Sequence, residues 1–234
     1  DEYYDEALET MPRAEREKYQ VEKLRQLLEH LYANAPSVKE KMERANVKPS
    51  DIRSIKDMEM IPITRRPELL ELQRAHPPFG GFLAKPISSL SRVFVGQGPV
   101  YDPYCTEPEP SGFYEPANIM AKFLWGMGLR KGDILLNTVT YHMNIAGLIY
   151  DDAAKKLGIT VIPSGVGQSE LQVQIMHDLK VTAFIGAPTF LMTLIRRAEE
   201  KGYDFRRDFA LKHACLDLEV LPDSLRKTFE EDYG

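Results

Sequence analysis

Between Asp133 and Leu218 the chain alternates short β-branched runs with longer amphipathic runs, and no other feature restricts its fold as much. Ile134–Val139, Ile159–Ile162, Val181–Ile185 and Lys212–Leu216 read as strands. Ile145–Leu157, Ser169–Leu179, Thr189–Lys201 and Asp223–Glu231 read as the helices that follow them. Strands spaced by helices of this length require right-handed crossovers, hence an α/β fold with a mostly parallel sheet flanked by helices. Ligands of such sheets sit beyond the carboxyl ends of the strands. That directs attention to Tyr141-His142, Pro163–Gln168, Gly186–Thr189 and Asp217–Glu219.

The first third is helical in pattern. Leu24, Leu27, Leu28 and Leu31 recur at i, i+3, i+4 and i+7, which predicts a helix from Ala14 to about Ala33, ended by Pro36. Val38–Ala45 and Ile52–Met58 read as further short helices, and Thr64 is placed to cap a helix from Pro67 to Arg74. A helical layer over residues 1–91, packed on an α/β part over residues 92–234, is the expected organisation. Arg92–Val95 reads as a strand and Ala117–Met127 as a helix. Between them, Gly96–Pro116 holds five prolines, three glycines and four acids, which denies it a helix or a central strand and predicts a mobile loop.

Apolar residues at 43% and charged residues at 28% are ordinary for a soluble globular protein. A net charge of −5 argues against a broad nucleic-acid surface but leaves room for a single nucleotide. No run approaches the ~20 apolar residues of a membrane span, so neither nucleic acid nor membrane is an expected partner. Cys105 and Cys215 fit no metal or redox spacing and read as idle thiols in a reducing cytoplasm. The chain opens on Asp1 rather than Met and stops at Gly234 directly after a helix, so it reads as a piece of a larger protein.

The motifs each admit a plain reading beside a functional one. Gly96-Gln97-Gly98 follows a strand, and its backbone N–H groups could cradle an anion or simply turn the chain. The lysine and hydroxyls of a strong phosphate loop are missing from Gly96–Pro103. A dinucleotide fingerprint is absent, because Gly165 and Gly167 are followed by no third glycine. His142 opens a helix at a strand end, where it can gate a pocket or exchange a proton, or rest as an ordinary histidine. Gly186–Thr189 is a helix cap or a pocket wall. Asp217 and Glu219 can hold ribose hydroxyls or a metal, or face solvent. His30, His76, His177 and His213 share no ligand spacing, and no Ser-His-Asp or Cys-His constellation identifies a catalytic residue.

Taken together, the chain resembles the phenylacetate–coenzyme A ligase family of adenylate-forming acyl-CoA synthetases, in its N-terminal portion. The likeness runs in order through Glu9–Pro12, Leu24–Ala35, Pro49–Ser54, Ile61–Thr64, Gly132-Asp133, Leu157–Pro163, Gly186–Thr189 and Leu221–Arg226. The resemblance implies part of a large N-terminal domain whose small mobile C-terminal partner domain is absent. It implies ATP or AMP with Mg as cofactors, an aryl or acyl carboxylate and coenzyme A as partners, and a homodimer as one assembly. The implied reaction forms an acyl-adenylate and then a coenzyme A thioester. By the match, Gly96, Gln97, Gly98 and Glu219 stand at nucleotide-contacting positions. Tyr141, His142, Gly147, Gly186, Ala187, Pro188 and Thr189 stand at acyl-pocket positions. Gln97, Pro99, Val100, Tyr101 and Asp102 replace the hydroxyls and lysine of the family's phosphate loop, which weakens phosphate binding by removing a cation and adding an acid. The family's catalytic lysine and hinge fall beyond Gly234, so no catalytic residue is assigned. A degenerate relative that keeps the acyl pocket for binding or partner contact is the alternative.

Overall fold

A computed structural model describes residues 2–105 and 116–234. Contacts divide the chain into two compact units, Asp1–Glu115 and Pro116–Gly234. The hairpin that begins at Arg92 therefore belongs with the helical part.

In the first unit a short helix α1 (Glu6–Glu9) precedes α2 (Arg13–Asn34), α3 (Pro36–Arg44) and α4 (Arg66–Ala75). Leu24 and Leu28 of the leucine stripe are buried against Met42, Val47 and Ile52, while Leu27 and Leu31 are half-buried. The expected helix Ile52–Met58 is instead two 3₁₀ turns, Pro49–Asp51 and Ile55–Met60. Ile52 lies extended between them and is fully buried. The Asp57 carboxylate accepts the N–H groups of Arg53 at 2.8 Å and Ser54 at 2.7 Å, tightening the second turn. Thr64 does not cap α4. Arg65 holds that position, its N–H bonded to Glu68 at 3.2 Å, and the Thr64 hydroxyl accepts from the Lys41 ammonium.

The Gly96–Pro116 segment is not irregular throughout. β1 (Arg92–Gly96) pairs antiparallel with β2 (Val100–Tyr104), Gly96 opposite Val100 and Val93 opposite Pro103. A two-stranded ribbon has only edges, so it admits the proline a central strand would exclude. Tyr104 is buried, its ring edge-on to Phe94 at 5.4 Å between centroids. Gln73 of α4 clamps β2 by donating to the Tyr101 carbonyl at 2.8 Å and accepting its N–H at 2.9 Å. The rest of the expected mobile loop, residues 106–115, lies outside the described residues.

The second unit carries the alternation. α5 (Pro116–Gly126) leads into β3 (Ile134–Asn137), α6 (Ala146–Leu157), β4 (Thr160–Ile162), α7 (Ser169–Asp178) and β5 (Ala183–Gly186). Then follow α8 (Pro188–Glu200), the short α9 (Phe205–Asp208), β6 (His213–Leu216) and α10 (Asp223–Lys227). The last helix ends early, passing into a wider π-type turn at Thr228–Tyr233. The four strands are all parallel, in the order β4-β3-β5-β6. Leu136 and Phe184, paired across β3 and β5, face a core with Val173, Met176, Leu191, Leu194 and Ile195 of α7 and α8. Alternation sends Asn137 and Ile185 to the opposite face, where Asn137 meets α6.

Candidate functional site

The strand order reverses direction at β3. The chain leaves β3 for β4 on one side and returns to β5 on the other. A doubly wound sheet opens its ligand crevice at such a switch point, beyond the carboxyl ends of the diverging strands.

Two residues stitch that end together. Thr138 bonds the Ile185 carbonyl twice, through its N–H at 3.0 Å and its hydroxyl at 2.8 Å. Gly186 follows directly, and a β-carbon there would collide with the Thr138 hydroxyl, so the close approach of β3 and β5 needs glycine. Ala187 is extended and Pro188 opens α8, so Thr189 is not the helix cap that its sequence position predicts. Its exposed hydroxyl instead donates to Glu219, with oxygens at 2.7 and 3.0 Å. The structure thus joins a residue read as acyl pocket to one read as nucleotide contact.

After β3 a second cluster forms around a buried asparagine. Asn137 is fully buried, and its amide donates to the Gly147 carbonyl at 2.9 Å and to Asp151 Oδ1 at 3.2 Å. The same Oδ1 accepts the Tyr141 hydroxyl at 2.7 Å. Burial, and then this carboxylate, push the Tyr141 phenol far above its usual range. Gly147 donates to the Thr140 carbonyl at 2.9 Å, and a β-carbon on it would sit 2.7 Å from that oxygen and 3.0 Å from the Tyr141 ring. His142 is exposed, and among the described residues its hydrogen bonds run through its backbone, accepting from Asn144 and donating to Thr140 Oγ1. On the far side of Asn137, Ser164 and Gly165 both donate to its carbonyl, at 3.1 and 3.0 Å.

Gly96, Gln97 and Gly98 lie in the first unit, Gly96 at the end of β1 and Gln97 and Gly98 in the turn of the β1–β2 hairpin. A β-carbon at Gly98 would come within 3.3 Å of the Arg66 guanidinium. Among the described residues no acid pairs with Arg66, so a cation stands against the turn that lacks its own lysine. Sequence reading missed Arg66 because it comes from a helix thirty positions earlier, and it missed Asp151 because an acid in the middle of an amphipathic helix reads as solvent-facing. Asn137, a polar residue inside a strand, was the available signal. Among the described residues no three His, Cys, Asp or Glu side chains gather as a metal site, so no residue is assigned to magnesium. Cys105 and Cys215 are free thiols, and burial pushes the Cys215 thiol up to about 12. No helix among the described residues is long and apolar enough to cross a membrane.

Sequence comparison then decides the kinship. The chain is 29% identical to a phenylacetate–coenzyme A ligase of Thermus thermophilus over 231 residues, 99% of this chain and 51% of the relative. A phenylacetate–coenzyme A ligase of Pseudomonas putida is 29% identical over 217 residues, 93% of this chain and 48% of that one. The chain is similar to half of a phenylacetate–coenzyme A ligase. No family profile matches it. Solved structures agree with the kinship to these ligases. An open conformation of 2-hydroxyisobutyryl-CoA ligase, in complex with 2-HIB-AMP and CoA, superposes on all of this chain and 51% of its own with a TM-score of 0.88 at 29% identity. The same ligase in the postadenylation state, with 2-HIB-AMP, gives 0.85 at 30% identity, covering 100% of this chain and 50% of that one. The α/β fold is that of adenylate-forming coenzyme A ligase domains.

Proposed function

We propose that the chain forms part of an ATP-dependent aryl- or acyl-coenzyme A ligase, which activates a carboxylic acid as its adenylate and passes the acyl group to coenzyme A. The observation that carries this reading is the superposition of the entire chain on a ligase bound to an acyl-adenylate and coenzyme A. In this reading Tyr141, His142, Gly147 and Gly186–Thr189 line the acid's organic part. Gly96, Gln97, Gly98 and Glu219 contact the nucleotide, with Arg66 supplying positive charge beside Gly98. Glycine at 147 serves the pocket by letting the Thr140 carbonyl and the Tyr141 ring approach closely, and glycine at 186 by admitting the Thr138 hydroxyl and the Phe184 ring.

The chain spans about half the length of the curated relatives it matches. Acid-dependent ATP–pyrophosphate exchange tests the proposal. The 234-residue chain alone is expected to give none, and co-expression with the unmatched half of the Thermus relative is expected to restore it. Exchange by the chain alone, or none from the folded pair with any aryl or short acyl acid, overturns the reading.

A second reading, a degenerate relative that binds acids without activating them, draws support from the hairpin. Strand pairing and the Gln73 clamp already engage backbone groups that a phosphate cradle would offer. Acid binding to the pair without exchange selects this second reading.

A further inference from the structure

We infer that Asp151 sets the substrate class of the acyl site, favouring carboxylic acids whose organic part carries a hydrogen-bond donor, a hydroxyl or an ammonium. This rests on the proposed role of Tyr141 and Gly147 as acyl-pocket walls.

The argument is a count of hydrogen-bonding capacity around one half-buried carboxylate. The Tyr141 hydroxyl spends its single proton on Asp151 Oδ1. Asn137 spends both amide protons, on Gly147 and on the same Oδ1, and its own oxygen accepts the Val139 N–H at 3.1 Å. The Gly147 N–H is taken by the Thr140 carbonyl. Asn137, Tyr141 and Gly147 therefore have no donor left to offer a ligand. Asp151 Oδ2 is the opposite case. Among the described residues no donor reaches it and no cation pairs with Asp151, and Oδ2 is not among the buried polar atoms left without a partner, so it stays reachable.

The part of the wall formed by Asn137, Tyr141, Gly147 and Asp151 offers a spare anionic acceptor and no spare donor, so it is complemented by a donor. An unsubstituted aryl or alkyl tail would strip water from Oδ2 and return nothing, and burying such an oxygen unpaired is the costly outcome. A second carboxylate in the tail would meet like charge. A hydroxyl or ammonium replaces the lost water with a charge-assisted bond. Sites that hydrogen-bond a substrate group reject analogues lacking it more sharply than apolar pockets reject an extra methylene.

The test is calorimetric titration of the 234-residue protein with phenylacetate, its 2-, 3- and 4-hydroxy isomers, its 4-aminomethyl analogue and 4-carboxyphenylacetate. At least one donor-bearing acid is expected to bind about tenfold or more tighter than phenylacetate, and the dicarboxylate most weakly. The variant carrying Asp151→Ala with Tyr141→Phe, which leaves no phenol hydroxyl orphaned, is expected to melt as a folded protein and to bind phenylacetate and the favoured acid alike. Phenylacetate binding as tightly as every donor-bearing acid overturns the selection by Asp151 and leaves the acyl-site reading standing, as does a preference that survives in the double variant. No saturable binding by any acid overturns both.

Discussion

The Tyr150 hydroxyl donates to Asp217 Oδ2 at 3.0 Å, although 67 residues separate the two in sequence. The bond ties α6 to the loop that leaves β6, on the side of the sheet where the candidate residues gather. Asp217 also accepts the Leu218 N–H at 2.7 Å, which helps hold Leu218 at a φ of 74°. Tyr150→Phe removes one hydrogen bond to an exposed carboxylate that water can re-solvate. It should therefore destabilise the protein by about 1–2 kcal/mol. Urea denaturation would show this as a lower midpoint at unchanged slope.

Gly147→Ala tests the close packing beside Asn137. The added methyl meets the Thr140 carbonyl and the Tyr141 ring, neither of which can move without breaking its own hydrogen bond. Overpacking of this kind costs about 1–3 kcal/mol. The variant should melt lower and lose acid binding, whereas Gly126→Ala, where a β-carbon meets nothing within 4 Å, should do neither.

The alternation that organises the second unit was legible from residues alone, because a parallel sheet covered on both faces forces apolar strands and amphipathic helices to take turns. The turn chemistry was less legible. Thr189 read as a cap, but Pro188 suits the first helical position and displaces it by one residue. Val100–Tyr104 read as irregular because proline and acidic residues are poor strand formers, and nothing local announces that Gln73 and Phe94 will hold that strand. Asp151 was invisible for a similar reason. Its partners Tyr141 and Asn137 sit 10 and 14 residues away and become neighbours only once α6 lies on β3.

Alkaline pH should destabilise the protein earlier than tyrosine ionisation alone requires. The buried Cys215 thiol ionises at about 12 in the folded protein, against about 8.5 when unfolded. Between those values the unfolded chain binds fewer protons, so stability falls as pH rises. Burial raises Tyr141 and Tyr150 too, which adds to the loss above pH about 10. Cys215→Ala should flatten the decline between pH about 8.5 and 10 in a series of urea midpoints. An unchanged slope there would contradict the assignment.

Leu28→Ala probes the first unit. Leu28 is 6% exposed and belongs to the cluster of Leu24, Met42, Val47 and Ile52. Truncation leaves a cavity and should cost about 2–5 kcal/mol. Tyr19→Ala, on the same helix but 39% exposed, should cost less, which thermal melts can rank directly.

Among the described residues the order β4-β3-β5-β6 leaves β3 and β5 hydrogen-bonded on both sides and β4 and β6 on one. Such a sheet frays from its margins inward, since releasing an outer strand breaks one ladder and releasing an inner one breaks two. In deuterium exchange the amides of Leu136 and Ile185 should be the last to label, well after those of Val161 and Cys215. The carboxyl ends of β3 and β5 thus belong to the slowest-opening backbone of their unit, so a ligand bound beyond them would meet walls already in place rather than having to assemble them.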